Sequence, residues 1–146
     1  MGLLRSVVES IETQLQAMNY SRSSLNFTLE NVPTSIAHKS YTFGEFSGIA
    51  QYHSGNRADY LDTILPLLVL WKVRGTHNAS GTYQEGYLDA LDAIEEIETE
   101  LVKNQPQANS ENNRIENFSI TPLFGDDEQE YLLLTIEIIF DAIRDM

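Results

Sequence analysis

The sequence predicts an α+β domain in which helices cover one face of a mostly antiparallel sheet and a β-hairpin forms the last element. Three observations carry this prediction: an amphipathic first segment, an alternating apolar stretch near residue 70, and a second alternating stretch before residue 140. Helices and strands in such an order are typical of α+β folds. With 146 residues, the chain has the length of one domain, so we treat residues 1–146 as a single unit.

The first element is predicted to be an amphipathic helix. Its polar side carries Glu9 and Glu12, which interrupt the apolar run that a signal peptide would need. The longest apolar run, residues 64–71, is too short to cross a bilayer as a helix, and we expect a soluble protein. The apolar stripe of the helix consists of Leu4, Val7, Val8, Ile11, Leu15 and Met18.

Extended segments are predicted to follow the helix. Residues 25–30 alternate apolar and polar side chains before Pro33, and a second extended segment is expected within residues 37–46. Residues 47–62 are rich in glycine and polar residues with little periodicity, so they predict a loop. Residues 65–74, "LPLLVLWKVR", are apolar on both faces at first and predict a central strand.

The second half of the chain is predicted to form a helix, a linker and a hairpin. Thr82, with Glu85 three residues later, predicts a capping box, and a helical apolar period continues to Lys103. The polar residues 104–113 predict a linker. The hairpin pairs residues 114–124 with residues 130–140 across the turn "GDDEQ".

The second strand of this hairpin is apolar on both faces. One face carries alternating leucine, isoleucine and phenylalanine from Leu132 to Phe140, and two helices can cover it. The second face must meet another part of the chain, another subunit or another protein. It carries Tyr131, Leu133, Thr135, Glu137 and Ile139.

The net charge of −13 is concentrated in the second half of the chain. Residues 1–84 hold six basic and six acidic residues, whereas residues 85–146 hold three basic and sixteen acidic ones. Such acidity argues against a nucleic-acid-binding site, because phosphate binding relies on Lys and Arg. It allows a surface past which DNA slides.

Catalytic and metal-binding motifs are weak in this sequence, and we expect no enzyme and no cofactor. Cysteine is absent, and His38, His53 and His77 lack partners at metal-ligand spacing, so we interpret them as loop or surface residues. An acidic helix face could hold a divalent cation, but such a face is usually solvated. This face carries Glu85, Asp89, Asp92 and Glu96.

The chain resembles the tail terminator, or tail-completion, proteins of tailed bacteriophages. The resemblance spans Leu3 to Ile143 and rests on the order of elements and on "LENVP" after the first helix. The apolar strand before a loop and an acidic helix, and the long two-faced hairpin, belong to the same pattern. Neck and head–tail connector proteins are similar in size and style.

The resemblance implies a structural virion protein that assembles into a hexameric ring on the last ring of the tail tube. Such a ring ends tube polymerisation and presents a docking surface for the filled head. The implied partners are other copies of the chain, the tail tube protein and a head–tail connector or neck protein. DNA would pass through without specific binding, no membrane would be involved, and the protein would occur in the host cytoplasm during assembly and then in the virion.

The expected interface combines the second face of the hairpin with the long segments 44–60 and 75–82, which predict contact loops. The interface residues are Tyr131, Leu133, Glu137, Ile139, Phe46, Tyr52, Arg57 and Arg74. Acidic residues that could face the lumen of the ring and repel phosphate are Asp126, Asp127, Glu128, Glu95 and Glu96.

Two other classes of function stay open at this stage. One is a small acidic bacterial module that binds a basic partner; a protein that stays monomeric at high concentration would favour this class. The other is a metal-dependent hydrolase built on the acidic helix; tight binding of Mg²⁺ or Mn²⁺ would favour that class.

Overall fold

The structure is a computed structural model that describes residues 2–24, 26–27, 37–52, 57–73, 82–103, 109–124 and 130–144. It shows the predicted α+β fold, with two helices on a six-stranded, mostly antiparallel sheet and a hairpin formed by the last two strands. The elements are α1 (Leu3–Ala17), β1 (Ser21–Arg22), β2 (Ser40–Phe43), β3 (Ser47–Tyr52), β4 (Ala58–Lys72), α2 (Tyr83–Lys103), β5 (Ser110–Phe124) and β6 (Glu130–Ala142).

Strand β4 is the centre of the sheet. The strand order is β1, β2, β4, β6, β5, and β3 also pairs with β4. Strands β3 and β2 lie end to end along one edge of β4, because β3 pairs with residues 58–64 and β2 with residues 67–70. Strand β6 pairs along the other edge of β4, so the alternating stretches that predicted two strands lie side by side. Among the described strands, only the short β1–β2 pair is parallel.

The main core lies between the helices and one face of the sheet, which we call the helix side. Alternate residues of β4 and β6 point into it, as their period-two pattern predicts. The opposite face of the sheet is called the open side. The largest fully buried side chains of the main core are Tyr41, Phe140, Ile11, Leu15, Leu67, Ile97, Leu101, Leu132, Leu134 and Ile136.

Helix α1 buries the stripe that its apolar period predicts. Its buried residues include Val7, Ile11 and Leu15, and the Gln14 side chain donates a hydrogen bond from Nε2 to the Glu100 carbonyl of α2 at 3.3 Å. The helix ends where Asn19 adopts a left-handed conformation with φ 69°. Asparagine tolerates this conformation better than most residues, so the chain turns there toward the sheet.

Helix α2 begins at the predicted cap and approaches the sheet closely. The Glu85 amide donates a hydrogen bond to Thr82 Oγ1 at 3.3 Å, which confirms one half of the capping box. One turn into the helix, Gly86 lies against Val73, just after β4. A Cβ atom at Gly86 would lie 2.5 Å from Val73 Cγ1 and 2.7 Å from the Val73 carbonyl oxygen. Only glycine therefore permits this approach of the helix to the sheet.

Several predicted element boundaries are wrong. Residues 47–52 form β3 and residues 58–62 belong to β4 rather than to a loop, so these parts of the predicted contact loop 44–60 are strand as well. The segment 104–113 is not a linker throughout, since β5 begins at Ser110. The predicted strand at 25–30 and the predicted loop at 75–82 lie largely outside the described residues.

The buried phenol of Tyr20 predicts a loss of stability at alkaline pH. Burial raises the pKa of Tyr20 above its ordinary value of 10.0, and the Glu96 carboxylate raises it further. The folded state thus holds the proton more tightly than the unfolded chain. The stabilisation is complete below pH 10 and is lost as pH rises through the folded-state pKa. Lys39 acts in the opposite sense, because burial lowers its pKa.

We expect the melting temperature of Tyr20→Phe to fall less between pH 9 and 11 than that of the parent chain. Thermal melts followed by circular dichroism across this range measure the effect. Tyr52→Phe is the control, since Tyr52 is 66% exposed. A Tyr20→Phe curve that parallels the parent curve at every pH would show that this phenol does not cause the loss.

Candidate subunit interface

Strand β3 is exposed along its whole length. All six of its residues are exposed, with Ile49 at 59% and Tyr52 at 66%, and its sequence "SGIAQY" carries no charge. One edge of β3 pairs with β4, and no described strand pairs with the other edge. An uncharged strand with a free edge is a ready template for a strand of another chain.

Register places the side chains of β3 on the two faces of the sheet. Ala50 lies opposite Tyr60, which packs against the main core, so Ala50 and Tyr52 belong to the helix side. Ile49 therefore belongs to the open side. Gly48 lies so close to Thr63 that a Cβ atom would lie 2.9 Å from its Cγ2 methyl, which explains a glycine inside this strand.

Three predicted interface residues lie in or beside the hairpin formed by β3 and β4. Tyr52 and Arg57 are exposed. The Phe46 side chain is partly covered, with its ring centroid 6.1 Å from that of Phe140. Their role in an interface stays a prediction, as does that of Arg74, which lies outside the described residues.

The second face of β6 is covered within the chain, contrary to the expectation that it is a free surface for another subunit. Tyr131 and Leu133 are buried in a small cluster with Leu70 and Phe27. Ile139 is only 2% exposed. The apolar pattern predicts two helices over one face, but it does not show that Phe27 packs on the other face beside Tyr131 and Leu133. Tyr131, Leu133 and Ile139 are therefore core residues of the single chain.

Glu137 lies at the polar part of the same face. It is half-buried, and its Oε2 accepts a hydrogen bond from Asn117 Nδ2 of β5 at 2.9 Å. Within the chain, Glu137 therefore interacts with this neighbouring amide. Elsewhere on the same face, Lys72 lies opposite Tyr131 and places its Nζ atom 5.9 Å from the ring centroid of Tyr131.

On the opposite side of the sheet, β5 is the outermost of the described strands. Strand β5 pairs with β6, and no described strand pairs with its outer edge. Phe118 lies opposite Ile136, which places it on the helix side, yet it is 58% exposed. The interface expected from the sequence includes neither Phe118 nor Ile49. For Phe118, an isolated apolar residue among the polar neighbours of "ENFS" is a usable signal of exposure.

The acidic residues Glu95 and Glu96 lie on α2, at an open groove between this helix and the end of α1. Because α2 packs on the helix side, they lie across the sheet from Glu137. Asp126, Asp127 and Glu128 lie outside the described residues. The groove is lined by Met18, Asp92, Glu95, Glu96, Thr99 and Glu100.

The described residues hold no arrangement of three or more His, Asp or Glu side chains that could bind a metal ion. His38 has a structural contact, because its Nδ1 accepts a hydrogen bond from the Lys72 amide at 3.0 Å. Its ring also meets the edge of Trp71, with 4.5 Å between the centroids. His53 and His77 lie outside the described residues.

No protein-family model matches the chain, and a search of curated proteins found no significant match. In the described part of the chain, no helix is long and apolar enough to cross a membrane.

Proposed function

We propose that this protein is a structural component of a tailed-bacteriophage virion that forms a ring on the end of the tail tube. In this role the ring stops tube polymerisation and offers a docking surface for the head. The observation that carries the proposal is a sheet with unpaired edges on two opposite sides among the described strands, β3 at one and β5 at the other. The α+β fold with a long final hairpin agrees with the resemblance in the sequence.

Two different edges suit a ring better than a simple dimer. A contact between unlike surfaces repeats from copy to copy and closes into a ring when the rotation between copies divides a full turn. A contact between like surfaces stops at two copies. A chain that offers one binding edge and a second, different one has the elements of such a repeating contact.

The charge of the chain is compatible with the passage of DNA. Three of its arginines form ion pairs on the surface, namely Arg5 with Glu9, Arg22 with Glu12 and Arg114 with Glu116. With a net charge of −13, the chain repels phosphate at low and moderate salt. DNA would pass such a ring without being held.

A second candidate function is binding of a basic protein, and the acidic groove beside α2 favours it. The groove brings Asp92, Glu95, Glu96 and Glu100 together at one surface. A basic segment would gain electrostatic attraction there, with a strong dependence on salt. In this alternative, the chain is a monomeric binding module and the sheet edges stay unoccupied.

The proposed function is tested by adding the purified protein to polymerising tail tube protein from the same genome. We expect shorter tubes that carry extra density at one end in negative-stain images, and a ring in native mass spectrometry. A ring that binds purified connector but leaves the tube length unchanged would indicate a neck or connector protein instead. A monomer at every concentration that has no effect on tubes would contradict both assignments.

A further inference from the structure

We propose that copies of this chain join edge to edge, with β3 of one copy pairing antiparallel with β5 of the next. The sheet would then continue across each subunit boundary. This inference rests on the proposed ring assembly and specifies the contact that builds it. The occupant of the free β3 edge is thus the β5 edge of a second copy.

Strand direction sets the orientation of this pairing. Strand β3 runs antiparallel to β4, β4 to β6, and β6 to β5. Within one chain, β3 and β5 therefore run in opposite directions at opposite sides of the sheet. A rotation about an axis roughly along the strands preserves both directions, so β3 meets β5 of the next copy antiparallel. The same rotation keeps the helices of every copy on one side of the shared sheet.

Exposed aromatic side chains support the same contact. Tyr52 of β3 and Phe118 of β5 both lie on the helix side, and both are more than half exposed. Pairing of the two edges brings these side chains to the same face of the joined sheet. Aromatic cross-strand neighbours stabilise sheets. Both side chains would lose water contact there without any change in the fold of the chain.

Charge favours a β3–β5 contact over a β5–β5 contact. Strand β3 carries no charged residue, whereas β5 carries Glu111, Glu116 and Arg114. A β5–β5 contact would bring two edges of net negative charge together. A β3–β5 contact places an uncharged edge against a negative one, and the repulsion is correspondingly smaller.

Cysteine cross-linking tests the pairing directly, because the chain contains no cysteine. We would replace Gln51 of β3 and Ser119 of β5, which are both exposed and lie on the open side. The double variant Gln51→Cys/Ser119→Cys is treated with a short bis-maleimide, which can bridge the two thiols in more than one register of the β3–β5 pair. We expect a ladder of covalent oligomers on a denaturing gel that ends at the ring, while each single variant stays monomeric.

The single variants identify the competing contacts. A covalent dimer from Gln51→Cys alone would indicate β3–β3 pairing, and a dimer from Ser119→Cys alone would indicate β5–β5 pairing. Either result overturns the inference. Labelling with a mono-maleimide confirms that both thiols react. If native mass spectrometry shows rings but the double variant does not cross-link, this inference fails and the proposed ring stands. If no oligomer forms at all, the proposed function fails with it.

A lysine on the edge strand gives an independent measurement. Lysine on an exposed edge opposes strand pairing between chains. We therefore expect Ile49→Lys to raise the protein concentration needed for ring formation at least tenfold, while the melting temperature stays unchanged. Leu88→Lys is the matched control, because Leu88 is exposed at 47% and does not belong to the buried stripe of α2. Equal ring formation by the two variants would count against the β3 edge.

Discussion

Replacing Leu133 by Asp should unfold the domain as severely as replacing Ile138 by Asp. Both side chains are fully buried, Ile138 in the main core and Leu133 in the cluster on the open side. A buried charge without a partner costs several kcal/mol. A domain of this size has a total stability of about 5–15 kcal/mol, so either variant should lose most or all of its cooperative unfolding transition.

Urea titration and thermal melts followed by circular dichroism measure this effect. Thr135→Asp is the control. Thr135 lies in the same strand and on the open side, like Leu133, but it is only half-buried. We expect this variant to keep a cooperative transition. If Leu133→Asp melts like the parent chain while Ile138→Asp unfolds, the open-side cluster does not contribute to the core, and this strand face is available to another molecule.

Replacing Gly86 by Ala should destabilise the domain, although the same change stabilises most helices. In an exposed helix interior, alanine is better than glycine by roughly 0.5–1 kcal/mol. Here the added methyl group would lie 2.5 Å from Val73 Cγ1 and 3.1 Å from Val73 Cα. The helix must move away from the sheet, and overpacking of this kind costs about 1–3 kcal/mol.

The sign of the change in melting temperature decides this prediction. Leu88→Ala, two residues further along α2 at an exposed position, should change the stability by less than about 0.5 kcal/mol. The double variant Gly86→Ala/Val73→Ala should recover only part of the loss, since the Val73 carbonyl oxygen also lies within 2.7 Å of the added atom. A higher melting temperature for Gly86→Ala would mean that the helix adjusts without strain.

The parts of the fold that could be predicted are those with a strong local apolar pattern. Helix α1 buries one apolar stripe, and β6 is apolar on most of both faces, so the sequence predicts each element directly. Strand β3 could not be recognised in this way. Its residues are exposed on both faces, so no alternation marks them, and Gly48 suggested a turn although it serves a close approach to Thr63.

The candidate interface was predictable only in part, and the reason is physical. The sequence showed that β6 has two apolar faces, but it did not show that Phe27 packs on the second one beside Tyr131 and Leu133. Such a contact joins residues far apart in the chain, and no local pattern records it. Free sheet edges are equally invisible in a sequence, because strand order depends on which strands meet in space. Exposure of Ile49 became evident only in the folded chain.

The pairing of β4 with β6 also has a consequence for the time course of folding. The β3–β4 and β5–β6 hairpins close over short stretches of chain, whereas the β4–β6 register joins Lys72 to Tyr131 and Tyr60 to Ala142. Pairing across such a separation is slow, since the long loop must lose its conformational freedom first. On the ribosome, the apolar stretch of β4 is made well before β6, and it lacks this partner while α2 and β5 are synthesised. We therefore expect that stretch to be the main aggregation hazard of the nascent chain.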